Sequence, residues 1–213
     1  MENKMVLATR NRGKIVELGR LMAAWGLEVV GLDAFPELEE VEETGRTFED
    51  NALLKARYAT EHTGLVSLAD DSGLEAKALG GAPGVFSARF HLEAPADFLK
   101  AQARQDRDSL NIAWLLEKMK PFPQGSRQAR FCSVIAAVRP DGSYIAARGL
   151  WPGELLFERR GENGFGYDPV FFDPEMQCSA AEMSLEQKNQ RSHRARALRK
   201  LAELWPDFWA GKN

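Results

Sequence analysis

A short apolar run that ends in two adjacent carboxylates constrains the fold of this chain more than any other feature. Residues 65–69 form a run typical of a buried strand, with a glycine close to each of its ends. Asp70 and Asp71 follow the predicted strand directly, and Ser72 begins a turn. Because open α/β sheets carry their chemistry at the carboxyl ends of strands, a metal ligand or a base is expected here. A plain turn that closes the strand is the competing interpretation.

The first predicted strand, its turn and the following helix form a pattern typical of anion binding. Met5–Ala8 is apolar, residues 9–14 are polar and include a glycine, and a helix is predicted from about Lys14. This arrangement presents a helix N-terminus to an anion. Asn11 is placed to cap the helix, Lys14 supplies a point charge for phosphate, and Thr9 adds a hydroxyl. The spacing is not that of a Walker loop, and a capped helix with a solvated lysine fits equally well.

An acidic segment precedes a second well-marked helix. Most acidic residues of this segment fit a solvated face, but Glu42 and Glu43 lie close to the helix start. The spacing of Thr47 and Asp50 is that of a capping box, which predicts a helix over 48–62. One side of this helix is polar, facing either water or a cleft, and carries Thr47, Asn51, Lys55 and Tyr58.

The middle of the chain supplies further elements and a glycine-rich loop. We predict one helix over 98–119 and strands over 130–138, 143–150 and 154–157. The loop over 161–169 interleaves glycines with aromatics, a composition that suits a flat ring stacked on an aromatic face. A hairpin loop with its aromatics folded into the core is the alternative. The residues of interest in this loop are Phe165, Gly166, Tyr167 and Asp168.

The C-terminal part contains two predicted helix starts. Ser184 and Gln187 have capping-box spacing and begin a short helix that carries Lys188. Ser192 is a predicted N-cap, which places His193 and Arg194 in the first turn, directed outward rather than into a core. The basic residues of this region are typical of a solvated helix face, although they are also the chain's candidate nucleic-acid patch.

Composition excludes several classes of protein. The net charge of −3 argues against broad non-specific nucleic-acid binding. No apolar run approaches the roughly 20 residues of a membrane span, and the N-terminal segment is too short and too acidic for a signal peptide. The two cysteines indicate neither a disulfide framework nor a metal site. We therefore expect a cytoplasmic protein with no membrane partner.

Seven motifs, in register over nearly the whole chain, resemble those of the inosine triphosphate pyrophosphatase family. They are Thr9-x-Asn11-x-x-Lys14, Glu42 to Lys55, Ala69 to Gly73, Gly80 to Gly84, Ser87-Ala88-Arg89, Phe165 to Asp168 and Ser192-His193-Arg194. The resemblance implies one α/β domain over 1–213, with a long mixed central sheet flanked by helices. It further implies two lobes with an active-site cleft between them, and a homodimer.

The resemblance also implies an activity, namely hydrolysis of a non-canonical purine nucleoside triphosphate to the monophosphate and pyrophosphate with Mg²⁺. Glu43 and Asp71 would hold the metal, Asp71 would be the general base, and Ser72 would contact the substrate. The triphosphate would be bound by Thr9, Arg10, Asn11, Arg12, Gly13, Lys14 and Lys55. The base would be surrounded by Phe165, Gly166, Tyr167, Asp168, Lys188, His193 and Arg194.

Three other functions stay open on the sequence alone. The nearest is a Maf-type nucleotide pyrophosphatase of different base specificity. The others are a nucleotide-binding sensor without chemistry and a nucleic-acid binder that uses the basic C-terminal helix. The presence of both Glu43 and Asp71 weighs against the sensor, because binding alone needs no carboxylate pair.

Overall fold

Seven strands form one sheet in the ranges that the structure, a computed structural model, describes: residues 4–22, 26–39 and 41–211. Their order across the sheet is β2-β1-β3-β4-β5-β6-β7. β1 pairs in parallel with β2 and β3, whereas β6 pairs antiparallel with β5 and β7, so the sheet is mixed as predicted. The strands are β1 (Lys4–Leu7), β2 (Glu28–Gly31), β3 (Val66–Ala76), β4 (Gln128–Val138), β5 (Tyr144–Leu155), β6 (Phe171–Asp173) and β7 (Cys178–Ser179).

Six helices flank the sheet within the same ranges, which confirms the predicted α/β class. Thr47 Oγ1 accepts a hydrogen bond from the Asp50 amide at 3.1 Å, and Asp50 Oδ2 accepts from the Thr47 amide at 3.0 Å, so the predicted capping box is formed. Neither the length nor the composition of any described helix suits a membrane span. The helices are α1 (Arg12–Met22), α2 (Phe48–Thr63), α3 (Ala96–Ala101), α4 (Arg107–Met119), α5 (Leu185–Arg191) and α6 (His193–Trp209).

Two predicted element boundaries are wrong. The single helix expected over 98–119 is divided into α3 and α4, because Asp106 caps α4 by accepting from the Ser109 amide at 2.8 Å. The two strands expected over 143–150 and 154–157 are one continuous strand, β5. Trp151 is buried within it, and its Nε1 donates to Asp173 Oδ2 at 2.9 Å, which anchors the segment where a break was expected.

The central strand is longer than predicted. β3 runs from Val66 to Ala76 and therefore passes through the two aspartates instead of ending before them. The residue that suggested a turn, Gly73, permits a close backbone approach, because a Cβ there would lie 2.5 Å from the Gly84 carbonyl oxygen. The next amide, that of Leu74, donates to Ser87 Oγ at 2.9 Å. The glycine thus marks a close contact within a strand.

The chain divides into two compact units, each with its own apolar core. Unit 1 comprises the residues up to Asp71, Ser133–Leu150 and the residues from Arg191 onward, and unit 2 comprises Ser72–Cys132 and Trp151–Gln190. The core of unit 1 includes Met5, Leu7, Leu18, Leu68, Ile135, Leu198, Leu201 and Trp205. The core of unit 2 includes Leu74, Phe90, Ile112, Leu115, Phe131, Trp151, Val170 and Phe171.

Candidate active site

The two neighbouring aspartates of β3 have different partners. Successive side chains of a strand point to opposite faces, so Asp70 and Asp71 are directed to opposite sides of the sheet. Both carboxylates are buried. Each must therefore be compensated by its own set of cations and donors.

Asp70 is a fully compensated buried charge. Its Oδ2 lies 2.8 Å from Lys14 Nζ and accepts from Arg194 Nε at 3.1 Å, while its Oδ1 accepts from the Ser133 hydroxyl. Burial works to raise the pKa of Asp70, but Lys14 and Arg194 outweigh it and hold that pKa well below its usual range. Asp70 is therefore ionised in the folded protein at neutral pH.

The pKa of Asp71 is shifted in the opposite direction to that of Asp70. Asn51 Nδ2 donates to its Oδ2 at 3.3 Å, and Lys55 Nζ donates to its Oδ1 at 2.8 Å. Burial raises the pKa of Asp71, and the nearby Glu43 carboxylate acts in the same direction, against Lys55 and Lys14. A carboxylate whose proton affinity is raised in this way is suited to take up a proton during a reaction.

Lys55 joins the carboxylates into one cluster. Its Nζ donates to Glu43 Oε1 at 3.0 Å, to Asp71 Oδ1 at 2.8 Å and to the Asp70 carbonyl oxygen at 3.1 Å. Burial works to lower the pKa of Lys55, but the two carboxylates outweigh it and the pKa is raised. The polar side of α2 was expected to face either water or a cleft. In the structure, Lys55 and Asn51 on this side both donate to the Asp71 carboxylate.

The turn before α1 brings a second ammonium to the same strand. Lys14 Nζ donates to the Asp70 carbonyl oxygen at 3.1 Å, in addition to its ion pair with the Asp70 carboxylate. Burial lowers the pKa of Lys14. Asn11 Oδ1 accepts from the amides of Gly13 and Lys14 at 3.0 and 3.3 Å, so the predicted helix cap is formed. Thr9 Oγ1 accepts from the Asn11 amide at 3.2 Å.

The other predicted phosphate ligands and Ser72 are less directly placed. Arg10 donates to the Leu38 carbonyl oxygen at 2.7 Å and lies 3.8 Å from Asp33, so its guanidinium is engaged outside the carboxylate cluster. The side chain of Arg12 is outside the described part of the structure. Ser72 is half-buried in β3 and is the first residue of unit 2.

Unit 2 brings together five of the residues predicted to surround the base. Lys188 Nζ donates to Asp168 Oδ2 at 2.6 Å and lies 4.9 Å from the centre of the Phe165 ring. Asp168 Oδ2 also accepts from the Phe165 amide at 2.9 Å. Tyr167 belongs to the core instead, since it is buried and its hydroxyl donates to the Ser87 carbonyl oxygen at 2.8 Å. Gly166 lies between them, so Phe165 is the aromatic side chain of this loop that is left half-exposed.

His193 and Arg194 are in the first turn of α6, as predicted, but the expectation that they are directed outward is wrong. Each is only 3 % exposed. Arg194 is buried because Asp70 compensates its charge, a long-range contact that local spacing does not reveal. Helix α6 also packs tightly against β5, since a Cβ at Gly149 would lie 2.0 Å from the His193 carbonyl oxygen.

Ser133 is a site residue that was not predicted from the sequence, and Asp70 had no predicted role of its own. Ser133 is a lone hydroxyl in the buried apolar part of β4, and its partner is Asp70. A polar residue within a buried apolar strand needs a hydrogen-bond partner, so this pattern was an available signal. Gly45 belongs to one of the seven motifs but had no assigned role; its amide donates to Asn51 Oδ1 at 2.8 Å, which orients the Asn51 amide toward Asp71.

Comparison with known proteins shows the family to which this chain belongs. Residues 5–204 match the Ham1 family. A dITP/XTP pyrophosphatase of Nitratidesulfovibrio vulgaris (strain Hildenborough) is 51 % identical over 207 residues, which are 97 % of this chain and 98 % of that protein. A dITP/XTP pyrophosphatase of Bacillus cereus (strain ATCC 14579) is 44 % identical over 211 residues, which are 98 % of each chain.

Solved structures agree with the sequence comparison. A HAM1 protein from Coxiella burnetii superposes with a TM-score of 0.82 at 37 % identity, covering 97 % of this chain and all of that one. A nucleoside-triphosphatase / dITP/XTP pyrophosphatase from Mycobacterium abscessus gives a TM-score of 0.72 at 43 % identity over 93 % of this chain and 98 % of that one. The resemblance predicted from the seven motifs is confirmed, and the chain belongs to the Ham1 family.

Proposed function

We propose that this protein hydrolyses the non-canonical purine nucleoside triphosphates dITP, ITP and XTP to the monophosphate and pyrophosphate. The observation that carries the proposal is the cluster in which Lys55 joins the half-buried Glu43 to the buried Asp71, at the positions that the family resemblance assigns to metal binding and catalysis. Its relatives named dITP/XTP pyrophosphatase match over nearly their full length, which supports the same substrates here.

The triphosphate is bound by the cations on the β1–α1 turn and on α2. Lys14 and Lys55 both donate to the Asp70 carbonyl oxygen, so their ammonium groups lie near each other, and ammonium groups are suitable donors for phosphate oxygens. Thr9, Asn11 and Gly13 order the turn that carries Lys14, and Arg10 and Arg12 add positive charge to it. These cations stabilise the charge that develops on the leaving pyrophosphate.

Glu43 and Asp71 fit a magnesium ion that is shared with the substrate. Mg²⁺ is usually held by one or two carboxylates together with waters and phosphate oxygens. The two carboxylates already share one cationic atom, Lys55 Nζ. A bound magnesium ion would withdraw negative charge from the phosphates.

Asp71 is the general base in this proposal. A water attacks the α-phosphorus, its oxygen forms the new bond to phosphorus, and the bond from phosphorus to the bridging oxygen of pyrophosphate breaks. Asp71 accepts the proton that the water loses, a role that suits its raised pKa. Asn51 and Lys55 hold its two oxygens in place, and Ser72 follows it in β3 as a substrate contact.

Base recognition uses the residues that the family resemblance assigns to it. Phe165 offers a ring for stacking, and Lys188 is held beside it by Asp168. Gly166 and Tyr167 shape the loop, while His193 and Arg194 are donors suited to the 6-keto oxygen of inosine and xanthosine. A donor that faces the amino group of adenine instead loses its hydrogen bond, which discriminates strongly.

The remaining parts of the proposal follow the family resemblance. We expect residues 1–213 to act as one domain, in a cytoplasmic homodimer that has no nucleic-acid partner. Analytical ultracentrifugation at micromolar concentration measures the oligomeric state, and a purely monomeric species would contradict the dimer.

The decisive experiment is product analysis on a panel of nucleotides with Mg²⁺. Pyrophosphate and monophosphate are expected from ITP, dITP and XTP, and far less from ATP, UTP and dTTP. Faster turnover of UTP or dTTP than of ITP would indicate the Maf-type specificity. Binding of ITP without release of pyrophosphate would indicate a sensor, and salt-dependent duplex binding would indicate the nucleic-acid binder.

A further inference from the structure

Helix α4 presents two polar side chains, Asp108 and Asn111, that belong to none of the seven motifs. They are three residues apart and therefore lie on the same side of the helix. Asn111 is buried and Asp108 is half-buried. Both accept hydrogen bonds from backbone amides of loops in unit 2, so each compensates a group that would otherwise lack a partner in a sheltered place.

Asp108 holds the glycine-rich loop. Its Oδ2 accepts from the Gly166 amide at 3.0 Å, directly between Phe165 and Tyr167. Gly166 has a φ of 58°, a conformation that glycine adopts without steric cost. A carboxylate acceptor makes this a charge-assisted hydrogen bond, which is stronger than one between neutral groups.

Asn111 holds the neighbouring loop that carries the Ser87-Ala88-Arg89 motif. Its Oδ1 accepts from the His91 amide at 2.9 Å, and its Nδ2 donates to the Ala88 carbonyl oxygen at 3.2 Å. The Tyr167 hydroxyl donates to the Ser87 carbonyl oxygen at 2.8 Å and so connects the two loops. One side of α4 therefore anchors both loops.

We infer that Asp108 is a positioning residue for the nucleobase, acting through the Gly166 amide to place the Phe165 ring. This inference rests on the proposed function. Because Asp108 contacts the loop that carries Phe165, its loss should affect how the base is bound more than it affects the phosphate chemistry.

Asp108→Ala removes the acceptor and should raise the KM for ITP about tenfold, while kcat changes less than about twofold, since one charge-assisted hydrogen bond is lost. Asp108→Asn is the conservative variant, because its side-chain oxygen still accepts from the Gly166 amide, and it should restore most of the lost affinity. Asp106→Ala is the matched control, because it removes the N-cap of the same helix without touching the loop. It should leave the KM unchanged.

Amide hydrogen exchange of the loop provides a readout that does not depend on activity. Exchange over residues 164–168 should be faster in Asp108→Ala than in wild type or in Asp106→Ala. Unchanged exchange and an unchanged KM in Asp108→Ala would overturn the inference. So would faster exchange with an unchanged KM, because the loop would then be held for a reason other than substrate binding.

The two proposals fail in different ways. If wild-type protein releases no pyrophosphate from any of the nucleotides, the proposed function is wrong, and with it the role of Asp108 in base binding. If wild type is active, but Asp106→Ala raises the KM as much as Asp108→Ala does, the effect comes from the stability of α4, and only the inference about Asp108 is wrong.

Discussion

The Nε of Arg194 donates to the carboxylate of Asp70 at 3.1 Å, although the two residues are 124 positions apart in the chain. The same carboxylate oxygen lies 2.8 Å from Lys14 Nζ. Asp70 therefore connects α6 to the turn that carries Lys14, and the loss of this one carboxylate would leave two buried cations uncompensated.

Asp70→Asn should lower the free energy of unfolding at neutral pH by about 3 kcal/mol, since it breaks a buried ion pair. It should also change the response to acid. The pKa of Asp70 is lower in the folded protein than in the unfolded chain, so its contribution is present above the unfolded pKa and is lost as the pH falls below it. Urea unfolding between about pH 5 and pH 2 should show a shallower loss of stability in Asp70→Asn than in wild type.

The control for this experiment is Asp97→Asn, at an exposed carboxylate of α3 paired only loosely with Lys100. This variant should follow the wild-type curve. Equal slopes for wild type and Asp70→Asn would show that Asp70 does not carry the acid sensitivity.

Asp71→Asn should reduce kcat for ITP by about a thousandfold, the scale on which general bases contribute. The fold should not suffer. Because burial raises the pKa of Asp71, the ionised form is costly in the folded state once the pH exceeds the unfolded pKa, and a neutral amide avoids that cost. Thermal unfolding at pH 7 should give a Tm equal to or above that of wild type. A variant with near-normal turnover would contradict the assignment of the base.

Gly149→Ala should destabilise the protein by about 2 kcal/mol or more, because the new methyl group overlaps atoms that cannot rotate away. A Cβ at this position would lie 2.0 Å from the His193 carbonyl oxygen and 2.4 Å from the Ala197 amide nitrogen. The start of α6 would move away from β5, so activity should fall together with stability. Chemical denaturation and ITP turnover measure the two effects.

Gly19→Ala is the matched control, since no heavy atom lies within 4 Å of the added methyl group and the residue is inside α1. It should stabilise the protein by about 0.5–1 kcal/mol, the helix propensity difference between glycine and alanine. Equal destabilisation by the two substitutions would show that contact with α6 is not the cause.

The buried pair of Lys188 and Asp168 should show strong coupling in a double-mutant cycle. Lys188→Met leaves a buried carboxylate without its cation, and Asp168→Asn leaves a buried ammonium, so each single variant should lose about 3 kcal/mol. The double variant should lose clearly less than the sum of the two. Urea unfolding of all four proteins gives the coupling energy, and simple additivity would contradict a direct interaction across 2.6 Å.

The local signals of the sequence predicted well. The caps at Asn11, Thr47 and Ser192 are all formed, because a cap depends on residues only a few positions apart. The side of α2 that carries Asn51 and Lys55 was also recognisable from spacing alone, and it meets Asp71. Helical periodicity indicates which residues lie on the same side of a helix. The buried strand β3 follows α2 directly in the chain, and Asp71 of this strand is what the polar side of α2 contacts.

The long-range relationships could not be predicted in the same way. Arg194 looked like a surface residue because its compensating carboxylate is on another element, distant in the chain. Gly73 suggested a turn, although it serves a close contact with the Gly84 carbonyl oxygen inside β3. In both cases tertiary packing brings in the partner, Asp70 for Arg194 and Gly84 for Gly73. A short stretch of sequence around either residue does not reveal that partner.

The alternation of β3 separates two chemically identical neighbours into a fixed charge and an adjustable one. Asp70 is held ionised by Lys14 and Arg194, whereas Asp71 has a raised pKa and is suited to take up a proton. This division of labour depends on register alone. Deleting a single residue of β3 before Asp70 would turn each carboxylate to the other face, and the protein would keep both aspartates while losing both of their roles.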